Sequence, residues 1–275
     1  MNEQTGEIIK EVSKEIAKDV YNDAGKPVLE PTGQTVGLIP RTIKAALLPL
    51  EKWVLGREYN LKETQKLLEE KLKNVRSEDI ETPEAYIAVP ALQNISYCMD
   101  SEELRNMYAN LLANSMNKVV KNKVHPGFVE IIKQLSPDEA KIIRGIYFKK
   151  LIPIITVRYE NDNSEGVDIF KNFSNIAEET NCEEILETNK YFDNLIRLGL
   201  LEKAGELKSL VDKKLYETLK NNTNIKKLEE IPLNYQNQGY TKCKFEESYI
   251  EMTPYGNAFC EICVVEKIQL FVTIK

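Results

Sequence analysis

Three consecutive helices, each with its own start signal, are predicted over residues 100–147, and this stretch constrains the fold more than any other. The first begins at Asp100, whose carboxylate can cap the helix while Glu103 reaches back to complete a capping box. His125 is the predicted cap of the second helix, because a proline, which suits the first helical turn, follows it. Ser136 is the predicted cap of the third helix. The short linkers predict helices that pack side by side.

The most apolar stretch, residues 38–55, contains two prolines and predicts a pair of short helices. Its simplest interpretation is a buried helix pair, because an interrupted stretch of this length is too short to span a membrane. The alternative is a surface that contacts a membrane or a protein partner. That surface would present a cationic and aromatic set, Arg41, Lys44, Lys52 and Trp53.

The pattern changes in the C-terminal half of the chain. β-Branched residues dominate 152–159 and predict a strand, whereas 169–179 and 181–198 carry helical patterns. A short strand in the sequence RLGLLE and a returning strand at 249–252 then resemble the wing of a winged helix-turn-helix domain. Between the two wing strands lies a long insertion, residues 203–247, with a predicted helix of its own.

These elements predict a mainly α protein in two domains. A helical N-terminal bundle occupies residues 1–124, and an α+β, winged-helix-like domain with a long wing insertion occupies residues 125–275. A chain of 275 residues is long enough for two such domains, each with a substantial core of its own.

Composition limits the environment in which the chain works. The net charge of −6 does not favour non-specific attraction to nucleic acid or anionic lipid. The five cysteines are sparse and odd in number, and the first 25 residues lack a signal-like apolar core, so we expect the chain in the reducing cytoplasm. No uninterrupted apolar run reaches the roughly 18 residues of a spanning helix, which predicts no transmembrane segment.

No group of side chains typical of a catalytic site or a metal site is recognisable in the sequence. The single histidine, His125, lies at a helix start, where its ring can satisfy a free backbone N–H. Cys260 and Cys263 form one CxxC pair, but structural zinc usually takes two such pairs, so we expect Cys263 to be a small core residue. The sequence therefore predicts a protein without enzymatic activity, cofactor or metal.

A winged helix would point to DNA binding, but its candidate recognition helix, within residues 182–203, has five acidic against three basic residues. Phosphate contact needs the opposite balance. The insertion is the counter-argument, because it carries a lysine-rich set, Lys213, Lys214, Lys220, Lys226 and Lys227. Nucleic-acid contact through these lysines is therefore kept as an alternative.

Three motifs resemble the abortive infection alpha family: LRNMYANLLANSM at 104–116, HPGFVEIIKQLSPDEA at 125–140 and MTPYGNAFCEIC at 252–263. The stretch 37–60 is similar to the N-terminal portion of that family, so the resemblance covers nearly the whole chain. It implies a bacterial cytoplasmic protein of anti-phage defence and brings no catalytic residue with it. The polar positions that match the family are Arg105, Asn110, His125 and Glu130, which either hold the helices together or bind a ligand or another helix.

The resulting hypothesis is a non-enzymatic anti-phage defence protein. It would act through a protein partner, from the phage or the host, or through contact with a membrane surface. The alternative is a winged-helix regulator that binds nucleic acid.

Overall fold

The computed structural model describes four stretches of the chain, residues 40–47, 61–98, 100–205 and 209–265. The first stretch is helical and buries Ile43 and Leu47. Helix α1 spans Leu61–Leu72, and its highly charged sequence leaves a narrow apolar seam that buries Leu68 and Leu72. Most of the remaining surface of α1 is polar, so this helix packs on the rest of the protein along one line.

Helix α2 spans Ala85–Ile95, and helix α3 spans Glu102–Met116. Every residue of α3 from 107 to 116 is buried, so α3 is the central helix of the core. Ser101 caps this helix, because its Oγ accepts a hydrogen bond from the Leu104 N–H at 3.4 Å. The predicted cap at Asp100 is therefore wrong by one residue.

Helix α4 spans Gly127–Lys133, and helix α5 spans Pro137–Lys149. The capping role predicted for Ser136 is confirmed, since its Oγ accepts a hydrogen bond from the Glu139 N–H at 3.2 Å. Glu139 Oε2 in turn accepts a hydrogen bond from the Ser136 N–H at 2.6 Å. At the start of α4, the His125 Nδ1 accepts a hydrogen bond from the Gly127 N–H at 3.0 Å.

A four-stranded antiparallel sheet follows, with the strand order β2-β1-β4-β3. Its strands are β1 (Leu151–Glu160), β2 (Gly166–Phe173), β3 (Leu201–Lys203) and β4 (Lys242–Met252). The central strands β1 and β4 pair along their whole length, from Leu151 opposite Glu251 to Glu160 opposite Lys242. The strand predicted at 152–159 is confirmed and forms most of β1.

Short helices connect the strands of the sheet. Helices α6 (Ile176–Glu179) and α7 (Thr188–Arg197) lie between β2 and β3; α8 (Lys214–Lys220), α9 (Thr223–Lys226) and α10 (Leu233–Gln236) lie between β3 and β4; and α11 (Pro254–Phe259) follows β4 and continues into a π-helical turn, Cys260–Val264. The chain turns between α7 and β3 at Gly199, whose φ of 72° is in the left-handed region that favours glycine.

The prediction of a mainly α protein with a winged-helix domain is wrong, because the protein is a mixed α+β fold built on this four-stranded sheet. The helix predicted at 169–179 is instead most of strand β2 followed by the single turn α6. The two predicted wing strands do pair, but as the short edge strand β3 and the end of β4. Most of β4 was not predicted because the apolar–polar alternation of Lys242–Phe245 is short and is broken by three consecutive polar residues, Glu246, Glu247 and Ser248.

The predicted insertion, residues 203–247, covers one face of the sheet and supplies the first half of β4. Insertion and sheet share a buried cluster formed by Ile155, Val157, Tyr159, Phe173, Tyr216, Leu219 and Ile225. Two buried tyrosines hold the layers together, since the Tyr159 hydroxyl donates to the Leu228 carbonyl at 2.7 Å and the Tyr216 hydroxyl donates to the Ser248 carbonyl at 2.9 Å. The insertion is therefore part of the core.

A second and larger buried cluster contains Ile152 and Ile154 of β1 together with apolar residues from α1 to α5, α7 and α11. It includes residues on both sides of position 124, and the division into domains at that position stays a prediction. Within the residues that the structure describes, no helix combines the length and the hydropathy that a membrane span needs.

Candidate functional site

Two asparagines of α3 hold the last turn of the described chain. Asn110 Nδ2 donates to the Cys263 carbonyl at 3.0 Å, and Asn114 Nδ2 donates to the Ile262 carbonyl at 2.8 Å. Both side chains are buried, and carbonyl groups at the end of a helix have no partner within it. The two amides therefore satisfy backbone groups that would otherwise be buried without a hydrogen bond.

The CxxC pair lies in this same π-helical turn. Cys260 and Cys263 are fully buried, and burial raises the pKa of both thiols far above its ordinary value. A buried thiol that stays protonated is a poor nucleophile. No group of three or more metal-binding side chains occurs in the described part of the chain.

Three of the polar positions from the family motifs have different partners. Asn110 binds the π-helical turn Cys260–Val264, whereas the exposed His125 ring packs edge-on against Tyr255, with ring centroids 5.6 Å apart. Glu130 is exposed, and its carboxylate lies 3.8 Å from the Lys133 ammonium. The fourth, Arg105, lies half-buried on α3. The structure does not bring Asn110, His125 and Glu130 together into one site.

The lysine-rich set of the insertion is partly neutralised by Glu247 of β4. The Lys213 ammonium lies 2.6 Å from the Glu247 carboxylate, and the Lys220 ammonium lies 3.0 Å from it. Burial alone would raise the pKa of Glu247, but the hydrogen bonds from the two lysines outweigh burial and lower it. Lys214, Lys226 and Lys227 are exposed.

Over the whole insertion, residues 203–247, nine lysines stand against seven carboxylates, so its net charge is only +2. Because a nucleic-acid backbone presents a long row of phosphates, its binding requires an extended and strongly positive surface, and we expect no salt-sensitive retardation of labelled DNA or RNA in a gel-shift experiment. The triple variant Lys214→Gln, Lys226→Gln, Lys227→Gln should behave like the unmodified protein. A retardation that weakens with salt and disappears in the triple variant would contradict this expectation.

The candidate membrane or partner surface is described only at its beginning. Arg41 and Lys44 are exposed on the helical residues 40–47, while Ile43 and Leu47 belong to the larger buried cluster. Lys52 and Trp53 lie outside the described residues. The apolar side of residues 40–47 is therefore already used in packing.

A groove of about 700 Å³ runs between α1 and α3, and we name it the α1–α3 groove. Its apolar lining consists of Leu72, Val75, Ala113, Val119 and Val265. Charged side chains of both signs surround this lining, namely Glu70, Lys71, Lys73, Arg76 and Asp79. Val119 is 73% exposed. An apolar centre inside a polar rim is the usual organisation of a protein–protein interface.

A second concave site, of about 440 Å³, lies between α3 and α5, and we name it the α3–α5 cavity. Helix α3 contributes Glu102, Glu103, Asn106, Met107 and Asn110, and helix α5 contributes Ala140, Lys141, Arg144, Gly145 and Phe148. Residues spaced three or four apart share a face of a helix, so each helix presents one face to the cavity. Thr180, Cys263 and Val264 complete the lining.

Two residues that line this cavity, Arg144 and Phe148, are not among the site residues predicted from the sequence. Phe148 lies four residues after Arg144, away from the apolar stripe formed by Ile143 and Ile146, and its side chain is 54% exposed. Arg144 and Phe148 are one helical turn apart and therefore share the face of α5 that lines the cavity. The facing residues of α3 could not be identified from spacing, because the pairing of the two helices is tertiary.

Comparison with known proteins gives one family match. A family model described as abortive infection alpha matches residues 56–263. No curated protein matches the chain. Among solved structures, the chain is similar to the uncharacterized protein from the hydrocarbon-degrading marine bacterium Alcanivorax borkumensis SK2, with 14% identity and a TM-score of 0.35 over 50% of this chain and 92% of that one. A likeness at that level carries no argument.

Proposed function

This chain belongs to the abortive infection alpha family, and on that premise we propose that it acts in abortive infection by binding a protein partner from the phage or the host. The proposed docking site is the α1–α3 groove. Family membership supports the role in abortive infection. Binding of a protein partner is supported by the exposure of Val119. This apolar side chain lines the groove and is 73% exposed.

The apolar lining supports binding by burial. Leu72 and Ala113 are already buried below the groove, and a partner that covers Val119 would extend this apolar surface. Complete burial of a valine side chain contributes about 1.5–3 kcal/mol. A groove of about 700 Å³ has room for several partner side chains, so one short segment of a partner can fill it.

The charged rim supports selectivity for a protein. The Arg76 guanidinium lies 2.7 Å from the Asp79 carboxylate, so the rim presents cationic and anionic groups side by side. A phosphate backbone would be repelled by the carboxylates, whereas a peptide segment can offer both signs of charge. The ion pairs of Lys213 and Lys220 with Glu247, together with the packed apolar side of residues 40–47, also favour a protein partner over nucleic acid or a membrane.

We expect the substitution Val119→Glu to abolish most of the protection against phage that the protein gives to a host cell. A carboxylate in the apolar part of the interface would be desolvated without a partner, which weakens binding by at least about tenfold. The measurement is the efficiency of plating of phage on cells that express each variant at equal levels.

The matched control is Val211→Glu, because Val211 is also an exposed valine, at 97%, and lies in the insertion. Both variants should keep the far-ultraviolet circular dichroism spectrum and the Tm of the unmodified protein. A photo-crosslinking amino acid at position 119 should give a defined adduct in infected cells. Full protection by Val119→Glu, or equal loss in both valine variants, would contradict the proposed docking site.

A further inference from the structure

The α3–α5 cavity contains polar side chains whose hydrogen-bonding capacity is unused. Among the described residues, the side chains of Glu103, Asn106 and Arg144 form no hydrogen bond and no ion pair. Glu103 and Asn106 are nevertheless half-buried. Unpaired polar side chains that converge on one cavity are typical of a site for a polar ligand.

The α5 wall of the cavity is cationic. Lys141 and Arg144 are three residues apart on one face of this helix. The Lys141 ammonium is held by Asp138 Oδ1 at 3.1 Å and the Asn181 carbonyl at 3.2 Å, which leaves the third of its donors for a ligand. Arg144 is exposed and offers its whole guanidinium fork. An arginine and a lysine at this spacing suit one phosphate group.

The α3 wall of the cavity is acidic. Glu102 and Glu103 lie in the first turn of α3, and Asn106 lies one turn further along the same face. Glu103 also acts on the opposite wall. The hydrogen bond from Lys141 to Asp138, together with the charges of Asp138 and Glu103, raises the pKa of Lys141, so this ammonium stays charged. Carboxylates accept hydrogen bonds from ribose hydroxyls and from the N–H groups of bases.

Phe148 adds an exposed aromatic surface to the same cavity. Its ring is packed edge-on against Tyr147, with ring centroids 5.5 Å apart, and its side chain is 54% exposed. It lies one helical turn beyond Arg144, so a ligand held by the arginine can reach the ring. Stacking on a phenylalanine is a common mode of base recognition, and it tolerates different bases.

From these features we propose that the α3–α5 cavity binds a nucleoside monophosphate, with the phosphate on Lys141 and Arg144, the sugar or base edge on Glu103 and Asn106, and the base against Phe148. The volume of about 440 Å³ is within the range of small-molecule sites. Asp138 already pairs with Lys141, so Arg144 is the cation of the described lining that is left for the phosphate, and each further phosphate would add repulsion without adding a cation. The α3–α5 cavity and the α1–α3 groove share Asn110 in their linings, and the ligand proposed here goes beyond the proposed function.

The test is isothermal titration calorimetry of the full chain with AMP, GMP, CMP and UMP. We expect at least one of the four to bind saturably. Arg144→Gln should weaken its affinity by about tenfold, because it removes a charged hydrogen-bond donor to phosphate. Phe148→Ala should weaken it by about tenfold as well, because it removes the stacking surface.

The matched control is Tyr86→Ala, which removes an exposed aromatic ring, 63% exposed, that does not line the cavity. This variant should bind with unchanged affinity, and all variants should keep the Tm of the unmodified protein. Absence of binding by all four monophosphates at millimolar concentration would overturn the proposal, as would binding that both cavity substitutions leave unchanged. Equal binding of inorganic phosphate alone, or binding of the dipeptide Glu-Lys in place of any nucleotide, would also overturn it.

Discussion

Replacing Gly256 by alanine is expected to destabilise the protein by about 3 kcal/mol or more, because a new β-carbon would meet backbone. This β-carbon would lie 2.1 Å from the Leu200 carbonyl oxygen and 2.8 Å from the Met252 sulfur. The carbonyl cannot rotate away as a side chain can, and it also accepts a hydrogen bond from the Thr253 N–H at 3.1 Å. Helix α11 would therefore have to separate from the strand pair β3–β4.

The measurement is urea unfolding followed by circular dichroism, with Gly239→Ala as the control. Gly239 has a φ of 88°, and a β-carbon added there would have no heavy atom within 4 Å, so this variant has the strain of a left-handed residue without a clash. We expect it to cost about 1 kcal/mol. Adding Met252→Ala to Gly256→Ala should not restore stability, since the shortest contact is to backbone. Equal losses in the two glycine variants would contradict the steric argument.

The second large effect is expected at Asp138, a buried carboxylate in the first turn of α5 that is shared by four donors. Its Oδ2 accepts hydrogen bonds from the Tyr191 hydroxyl at 2.8 Å and from the Glu183 N–H at 3.0 Å. The Glu184 N–H lies 3.4 Å from the same oxygen, and Lys141 forms an ion pair with Oδ1 at 3.1 Å. Asp138→Ala would leave these donors without an acceptor, which we expect to cost about 3 kcal/mol at pH 7.

The effect of Asp138→Ala should depend on pH. Burial alone would raise the pKa of Asp138, but the hydrogen bonds from Tyr191, Lys141 and two backbone N–H groups outweigh it and lower the pKa. Its stabilising contribution is therefore complete above the unfolded-state pKa of about 3.9 and is lost as the pH falls through the lower folded-state pKa. The difference in unfolding free energy between the two proteins should be full at pH 7 and smaller at about pH 3.

Asp193→Ala is the control for this experiment, because Asp193 is an exposed aspartate on α7. We expect its unfolding free energy to stay within about 0.5 kcal/mol of the unmodified protein. Urea titrations of all three proteins at both pH values give the comparison. A loss in Asp138→Ala that is the same at pH 7 and pH 3 would show that the carboxylate acts by its shape and not by its charge.

The helical half of the fold could be predicted because its signals are local. The capping box of Ser136 and Glu139 needs only the identity of residues three apart, and the structure contains both of its hydrogen bonds. Strand β2 and most of β4 could not be predicted, because in both strands the apolar–polar alternation that marks a half-buried strand lasts only a few residues before it is interrupted. The winged-helix interpretation follows from that omission, since it rests on two short strands of a sheet that has four.

The candidate sites were predictable only as isolated residues. The family motifs select Asn110, but its partner, the Cys263 carbonyl, is 153 residues away along the chain. The spacing of Arg144 and Phe148 places both off the apolar stripe of α5, and this can be read from the sequence. Glu103, in contrast, is assigned by the sequence to helix capping alone. Val119 could not be selected from the sequence, because whether a valine is exposed depends on how the helices pack.

The pairing of β1 with β4 has a consequence for how the protein is made. Leu151 pairs with Glu251, so the centre of the sheet joins strands about 100 residues apart in the chain. At roughly 5–20 residues per second, the ribosome needs about 5–20 s to synthesise that interval. During this time β1 has been synthesised but β4 has not, so the β1 residues Ile154, Ile155 and Val157 lack their pairing partners. The nascent chain is therefore most prone to aggregation during translation, and substitutions in β4 should reduce the yield of folded protein before they affect its activity.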